Sequence, residues 1–88
     1  MSISITVKDR KEQVIATLPK VDMGMKVQDF KKLFISECEM ARKRKLYPER
    51  IRFTVNEARG KPLADHTKPI KTYIDNPTVT LYFKDLGP

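Results

Sequence analysis

Thr78-Val-Thr-Leu-Tyr-Phe-Lys-Asp-Leu-Gly87 is the stretch that decides the fold. Val79, Leu81 and Phe83 alternate with Thr80, Tyr82 and Lys84, the period of two that turns one face of a strand toward a core. Three large apolar residues on one face suit a central strand, paired beside the first strand of the sheet. The run leaves through Asp85-Leu-Gly-Pro88, a tight polar exit that suggests a domain cut from something longer.

Working back from that strand, Asp75-Asn-Pro77 reads as the turn into it. His66 to Ile74 is punctuated by Pro69 and predicts one helical turn at Ile70–Tyr73. Lys61-Pro-Leu63 is a short strand at most, and Asn56-Glu-Ala-Arg-Gly60 is a turn. Ile51, Phe53 and Val55 alternate with Arg52 and Thr54 as a third strand. Before it, Tyr47-Pro48 breaks a helical pattern in which Val27, Phe30, Phe34, Cys38 and Ala41 recur at steps of three and four. The spacing predicts one long helix from about Lys26 to Arg42, with Lys31, Lys32 and Glu37 largely off the apolar stripe. Its N-terminus has no good capping residue except Asp22. Its far end, Arg42-Lys-Arg-Lys45, suits the negative end of the helix dipole.

At the start of the chain, Ile3, Ile5 and Val7 alternate with polar residues. A charged turn, Asp9-Arg-Lys-Glu12, leads to a second run from Val14 to Leu18, with either Val14, Ala16 and Leu18 or Ile15 and Thr17 facing inward. Pro19 ends that run or marks a sheet edge. The order strand, strand, helix, strand, short strand, helical turn, strand is that of an α+β ubiquitin-like roll, the β-grasp. A mixed sheet of four or five strands is expected, with one long helix packed across it.

The 88 residues allow one domain, residues 1–88, and the apolar fraction of 40% supplies one small core. The single cysteine, Cys38, excludes an intrachain disulfide. No basic, then apolar leader opens the chain, and no window reaches the roughly eighteen apolar residues of a membrane helix, so the chain as given reads as soluble. The net charge of +7 suits nucleic acid, an anionic membrane or an acidic partner, and serves solubility equally well.

Leu81-Tyr-Phe-Lys-Asp-Leu-Gly87 resembles the end of the ubiquitin-like domain that opens the very-long-chain trans-2-enoyl-CoA reductases of fatty-acid elongation. Phe30-Lys-Lys-Leu-Phe34 is similar to that family's helix core, Leu46-Tyr-Pro-Glu-Arg50 to its aromatic-Tyr-Pro element, and Gly60-Lys-Pro-Leu63 to its Gly-Lys-x-Leu turn. The sequence departs from the family at Lys26, where Thr or Ser is frequent, and in the long basic stretch from Ser36 to Lys45. The resemblance implies a parent enzyme of the endoplasmic reticulum membrane that reduces trans-2-enoyl-CoA with NADPH through a steroid-reductase-like region downstream. It also implies elongation-complex proteins as neighbours and a place on the cytosolic face of that membrane. No family catalytic or cofactor-binding residue maps onto these positions.

The inventory of reactive groups argues against an enzyme. Cys38 falls on the apolar stripe, His66 in a proline-rich connection as a surface turn residue, and one of each cannot build a zinc site. Glu37 and Glu39 lie about 200° apart on a helix and cannot form an acid–base pair. The three glycines are isolated, so no phosphate loop exists and no NADPH site is expected in this chain.

Two surfaces remain as candidates for binding. One is Arg42, Lys43, Arg44 and Lys45, with Lys31 and Lys32 nearby, read either as a solvated helix end or as a contact to an anionic membrane or an acidic protein. The other is the outer sheet face, where Arg50, Arg52 and Lys84 surround Tyr82 and suit an acidic partner better than receptors that need an aliphatic patch. Nucleic acid is not expected, because no aromatic set is interleaved with the basic run. With Leu86-Gly87-Pro88 in place of a Gly-Gly tail, a conjugated modifier is not expected. A non-catalytic domain of the reductase is the preferred identity, ahead of a free-standing ubiquitin-like adaptor and a small basic nucleic-acid binder.

Overall fold

The computed structural model describes residues 2–57, 60–74 and 76–86. The predicted turns at 56–60 and 75–77 and the exit at Gly87-Pro88 therefore lie partly outside the described residues. Strand β1 is Ser2–Lys8, β2 Val14–Asp22, β3 Ile51–Val55 and β4 Thr78–Asp85. Helix α1 is Val27–Glu37 and α2 is Glu39–Lys43, with short 3-10 turns at Pro48–Arg50 and Ile70–Thr72. The sheet order is β2-β1-β4-β3. β4 runs parallel to β1 and antiparallel to β3, so the last strand is central, as its apolar face requires. The expected β-grasp is present with four strands. Lys61-Pro-Leu63 adds only a bridge from Pro62 to Thr54, flanked by Leu63 N donating to the Phe53 carbonyl at 3.0 Å and Val55 N to that of Lys61 at 2.9 Å.

Of the two readings of Pro19, the sheet edge is the one that β2 shows. The strand runs on to Asp22 as an edge strand, where a residue without an N–H is tolerated. Between the pairs Ile3–Val21 and Ile5–Leu18 it carries one residue more than β1, a bulge that takes up Pro19 and Lys20. Leu18 and Val21 face the core, while Val14 is exposed and Ile15 and Ala16 are half-buried. Neither of the two simple alternations describes the strand.

The predicted single helix is two. Cys38 is extended (φ −98°, ψ 115°), and α2 starts after it. Ile35, Ser36 and Cys38 are weak helix formers. The break also moves Glu39 from the unfavourable end of one helix dipole to the favourable start of another. Cys38 and Ala41 both remain buried, the Cys38 thiol meeting the Ile15 carbonyl at 3.5 Å. The missing N-cap is supplied from elsewhere in the chain. Val27 N donates to the Lys68 carbonyl at 2.9 Å and Gln28 N to that of His66 at 3.2 Å, satisfying two of the orphan donors of α1. Asp22 instead braces the approach, its carboxylate accepting from Gly24 N at 2.8 Å.

The core centres on Phe30 and Phe34 from α1, Phe53 from β3 and Phe83 from β4. Phe34 sits edge-on to Phe53 with centroids 5.0 Å apart and 5.4 Å from Phe83, a geometry that adds specificity to area burial. With its helices on one face of the sheet, the fold leaves the opposite face open.

Candidate functional site

The open face is built by register. Arg52 pairs with Lys84 and Thr54 with Tyr82 across β3 and β4, and Tyr82 pairs with Lys8 of β1. Because Ile51, Phe53, Leu81 and Phe83 point inward, these neighbours point outward. The β1–β2 turn completes the face. The Asp9 carboxylate accepts from Lys11 N at 2.8 Å and Gln13 N at 3.0 Å, and Glu12 takes a left-handed conformation (φ 62°). That turn brings Glu12 to Tyr82, whose hydroxyl donates to the carboxylate at 3.0 Å. The bond favours the protonated phenol and holds Tyr82 above its ordinary pKa. The ring is thereby fixed on the surface.

A groove of about 390 Å³ lies beside that ring, with Arg10, Arg52 and Lys84 around it and Gly60 and Pro62 along one wall. None of the three cations forms an ion pair with an acidic side chain among the described residues. The wall is closely built. Thr54 Oγ1 donates to the Glu57 carbonyl at 2.7 Å, and a Cβ at Gly60 would meet the Val55 carbonyl oxygen at 2.2 Å. The structure thus brings together Arg52, Tyr82 and Lys84, and adds Arg10, which no strand pattern could place because it sits in a turn. Arg50 is exposed on the 3-10 turn before β3 rather than on the sheet.

The four cations after α1 are all exposed but not equivalent. Lys43 pairs with Glu39 at 3.1 Å, one helical turn away, and Arg44 pairs with Asp85 at the end of β4. The side chains of Arg42 and Lys45 have no ion pair among the described residues. Lys45 (φ 52°) ends the helix in a left-handed turn.

Lys31 is not part of that cluster, contrary to the sequence reading. It is buried, 4% exposed. Its Nζ donates to the Ile51 carbonyl at 3.0 Å and lies 2.8 Å from His66 Nε2. His66 is likewise not a free surface residue but half-buried against Lys31. Burial, and then the Arg52 guanidinium, hold the Lys31 amine below its ordinary pKa, while Glu49 acts in the opposite sense. Among the described residues no group of three or more His, Cys, Asp or Glu could hold a metal, and no helix is long and apolar enough to cross a membrane. Cys38 is buried.

No protein-family model matches the chain, and no curated protein matches it by sequence. Solved structures do. The solution structure of the ubiquitin-like domain of an Arabidopsis thaliana protein superimposes with a TM-score of 0.71 at 20% identity, covering 99% of this chain and 80% of that one. A de novo designed protein based on ubiquitin gives 0.68 at 18% identity, covering 99% and 92%. The chain therefore has the ubiquitin-like β-grasp fold, which identities this low establish without any finer kinship.

Proposed function

We propose that this domain is a non-catalytic interaction module of a larger protein, and that it docks an acidic segment of a partner on the open face of its sheet. The observation that carries the reading is the groove at Tyr82, where Arg10, Arg52 and Lys84 converge from three elements and form no ion pair with an acidic side chain among the described residues. Unpaired cations around a fixed aromatic ring favour carboxylates, both by charge and by stacking of a planar group on the ring.

For the larger protein we propose a trans-2-enoyl-CoA reductase of the endoplasmic reticulum that uses NADPH, with this domain on the cytosolic face among elongation proteins. What supports this is the order of the words Phe30-Lys-Lys-Leu-Phe34, Leu46-Tyr-Pro, Gly60-Lys-Pro-Leu63 and Tyr82-Phe-Lys-Asp-Leu-Gly87. In that setting Arg42 and Lys45, with Lys43 and Arg44 beside them, face the anionic membrane surface, where each cation contributes about 1 kcal/mol. The test is immunodepletion of detergent-solubilised membranes with an antibody to this domain. Loss of NADPH-dependent enoyl-CoA reduction from the supernatant supports the assignment. Full activity left behind, with the antigen removed, contradicts it.

A further inference from the structure

A second groove, of about 370 Å³, shares Arg52 and Pro62 with the first and is lined by the start of β3 and by Pro62, Leu63, Ala64 and His66. Its polar lining is Lys31, Arg52, His66 and Glu49, and its apolar lining includes Leu63 and Leu86. We propose that this groove is a carboxylate-binding site, in which Lys31 and Arg52 hold the anion and the apolar wall takes the carbon attached to it. Arg52 and Pro62 also line the docking face at Tyr82, whereas Lys31, Glu49, Leu63 and His66 belong to this groove alone.

Three observations carry it. First, Lys31 is the one charged side chain among the described residues that the fold buries, yet it lines a cavity. An ammonium has three N–H donors. Two are accounted for by the Ile51 carbonyl and His66 Nε2, which leaves one for a ligand. Second, Lys31 and Arg52 repel one another, and an anion between them relieves that repulsion. Glu49 acts on Lys31 in the opposite sense but forms no ion pair with either cation among the described residues. Third, the contact with His66 accommodates either protonation state of Lys31. An ammonium donates to a bare Nε2, and a neutral amine accepts from an Nε2–H. The site therefore adjusts without moving a heavy atom. The groups facing the amine are Arg52 from β3, Glu49 from the 3-10 turn and His66 from the loop that caps α1. An anion favours the ammonium, so carboxylate affinity falls as pH rises through the titration of Lys31.

The test is a heteronuclear NMR titration of the 88-residue chain with propionate, with a capped Glu-Leu dipeptide, and with chloride and phosphate at matched ionic strength. The expected result is saturable shifts of the Lys31 Cε–Hε and His66 ring resonances with the carboxylates alone. Lys31→Met abolishes them, and Arg52→Gln weakens them by about tenfold, the loss expected for one hydrogen bond between charged groups. Tighter binding of the dipeptide assigns the site to a partner's acidic side chain, and equal or tighter binding of propionate assigns it to a free carboxylic acid. Equal shifts with chloride, stronger binding of phosphate, or an unchanged affinity in Arg52→Gln overturns the proposal. Should Lys31→Met not fold, a carboxylate affinity that stays constant across the Lys31 titration overturns it in the natural protein.

Discussion

The Nζ of Lys31 lies 3.0 Å from the carbonyl oxygen of Ile51, so a helix side chain closes part of the free edge of β3. The rest of that edge is closed by the chain itself, where Phe53 accepts from Leu63 N and Val55 donates to the Lys61 carbonyl. A bare edge invites pairing with another chain, and a buried lysine is one way to deny it.

Lys31 also sets a pH dependence with a definite sign. Its folded pKa lies below the ordinary lysine value, so between the two the unfolded chain binds more protons than the folded one. Stability contributed by this group therefore rises with pH through that window. Urea unfolding of the natural protein and Lys31→Met, compared at about pH 7 and about pH 10, cancels the other lysines. The difference should move in favour of the natural protein at the higher pH. At neutral pH the two should differ by no more than about 2 kcal/mol, since the lost hydrogen bonds and the removed buried charge oppose one another.

Phe34→Ala removes the side chain that bridges Phe53 and Phe83. The expected loss is about 3–5 kcal/mol. A domain of this size has on the order of 5 kcal/mol in total. Circular dichroism should show a strongly lowered unfolding midpoint, with about 0–2 kcal/mol of stability left.

Gly60→Ala tests the wall of the outer groove. The new methyl meets the Val55 carbonyl oxygen at 2.2 Å, so the backbone at Gly60 or Val55 has to shift. We expect a cost of about 1–3 kcal/mol in chemical denaturation, and amide shifts concentrated at Thr54, Val55 and Lys61.

Much of this is legible in the sequence. The inward triads of β1, β3 and β4 and the Val27–Phe30–Phe34 stripe follow from period alone, and they fix the fold. Lys31 was misread although a signal existed: it stands four residues after Val27 and three before Phe34, within the apolar stripe. Its charge suggested solvent, but the Ile51 carbonyl and His66 lie on distant segments that no local pattern reveals. The helix break at Cys38 was hidden because Cys38 and Ala41 stay buried in either geometry. The bulge at Pro19 depends on the partner strand, and Arg10 reaches the groove from the turn after β1, which no strand period places.

The helix-end cations give a graded expectation for membranes. Co-sedimentation with anionic vesicles should weaken when Arg42, Lys43, Arg44 and Lys45 are all changed to Gln. It should weaken more for Arg42→Gln/Lys45→Gln than for Lys43→Gln/Arg44→Gln, because the latter two already hold Glu39 and Asp85. Binding should fade as the screening length shortens from about 10 Å at about 0.1 M salt to about 3 Å at about 1 M. Equal binding by the natural and fourfold-substituted proteins would remove this cluster as a membrane contact.

The docking of an acidic segment at Tyr82 is tested most directly by NMR titration of the labelled domain with a short oligo-glutamate peptide. The account predicts saturable shifts focused on Arg10, Arg52, Tyr82 and Lys84, lost together in Arg10→Gln/Lys84→Gln and suppressed by salt. Shifts centred instead on Arg42–Lys45, or spread evenly over every lysine and arginine and unchanged in that double variant, would contradict it.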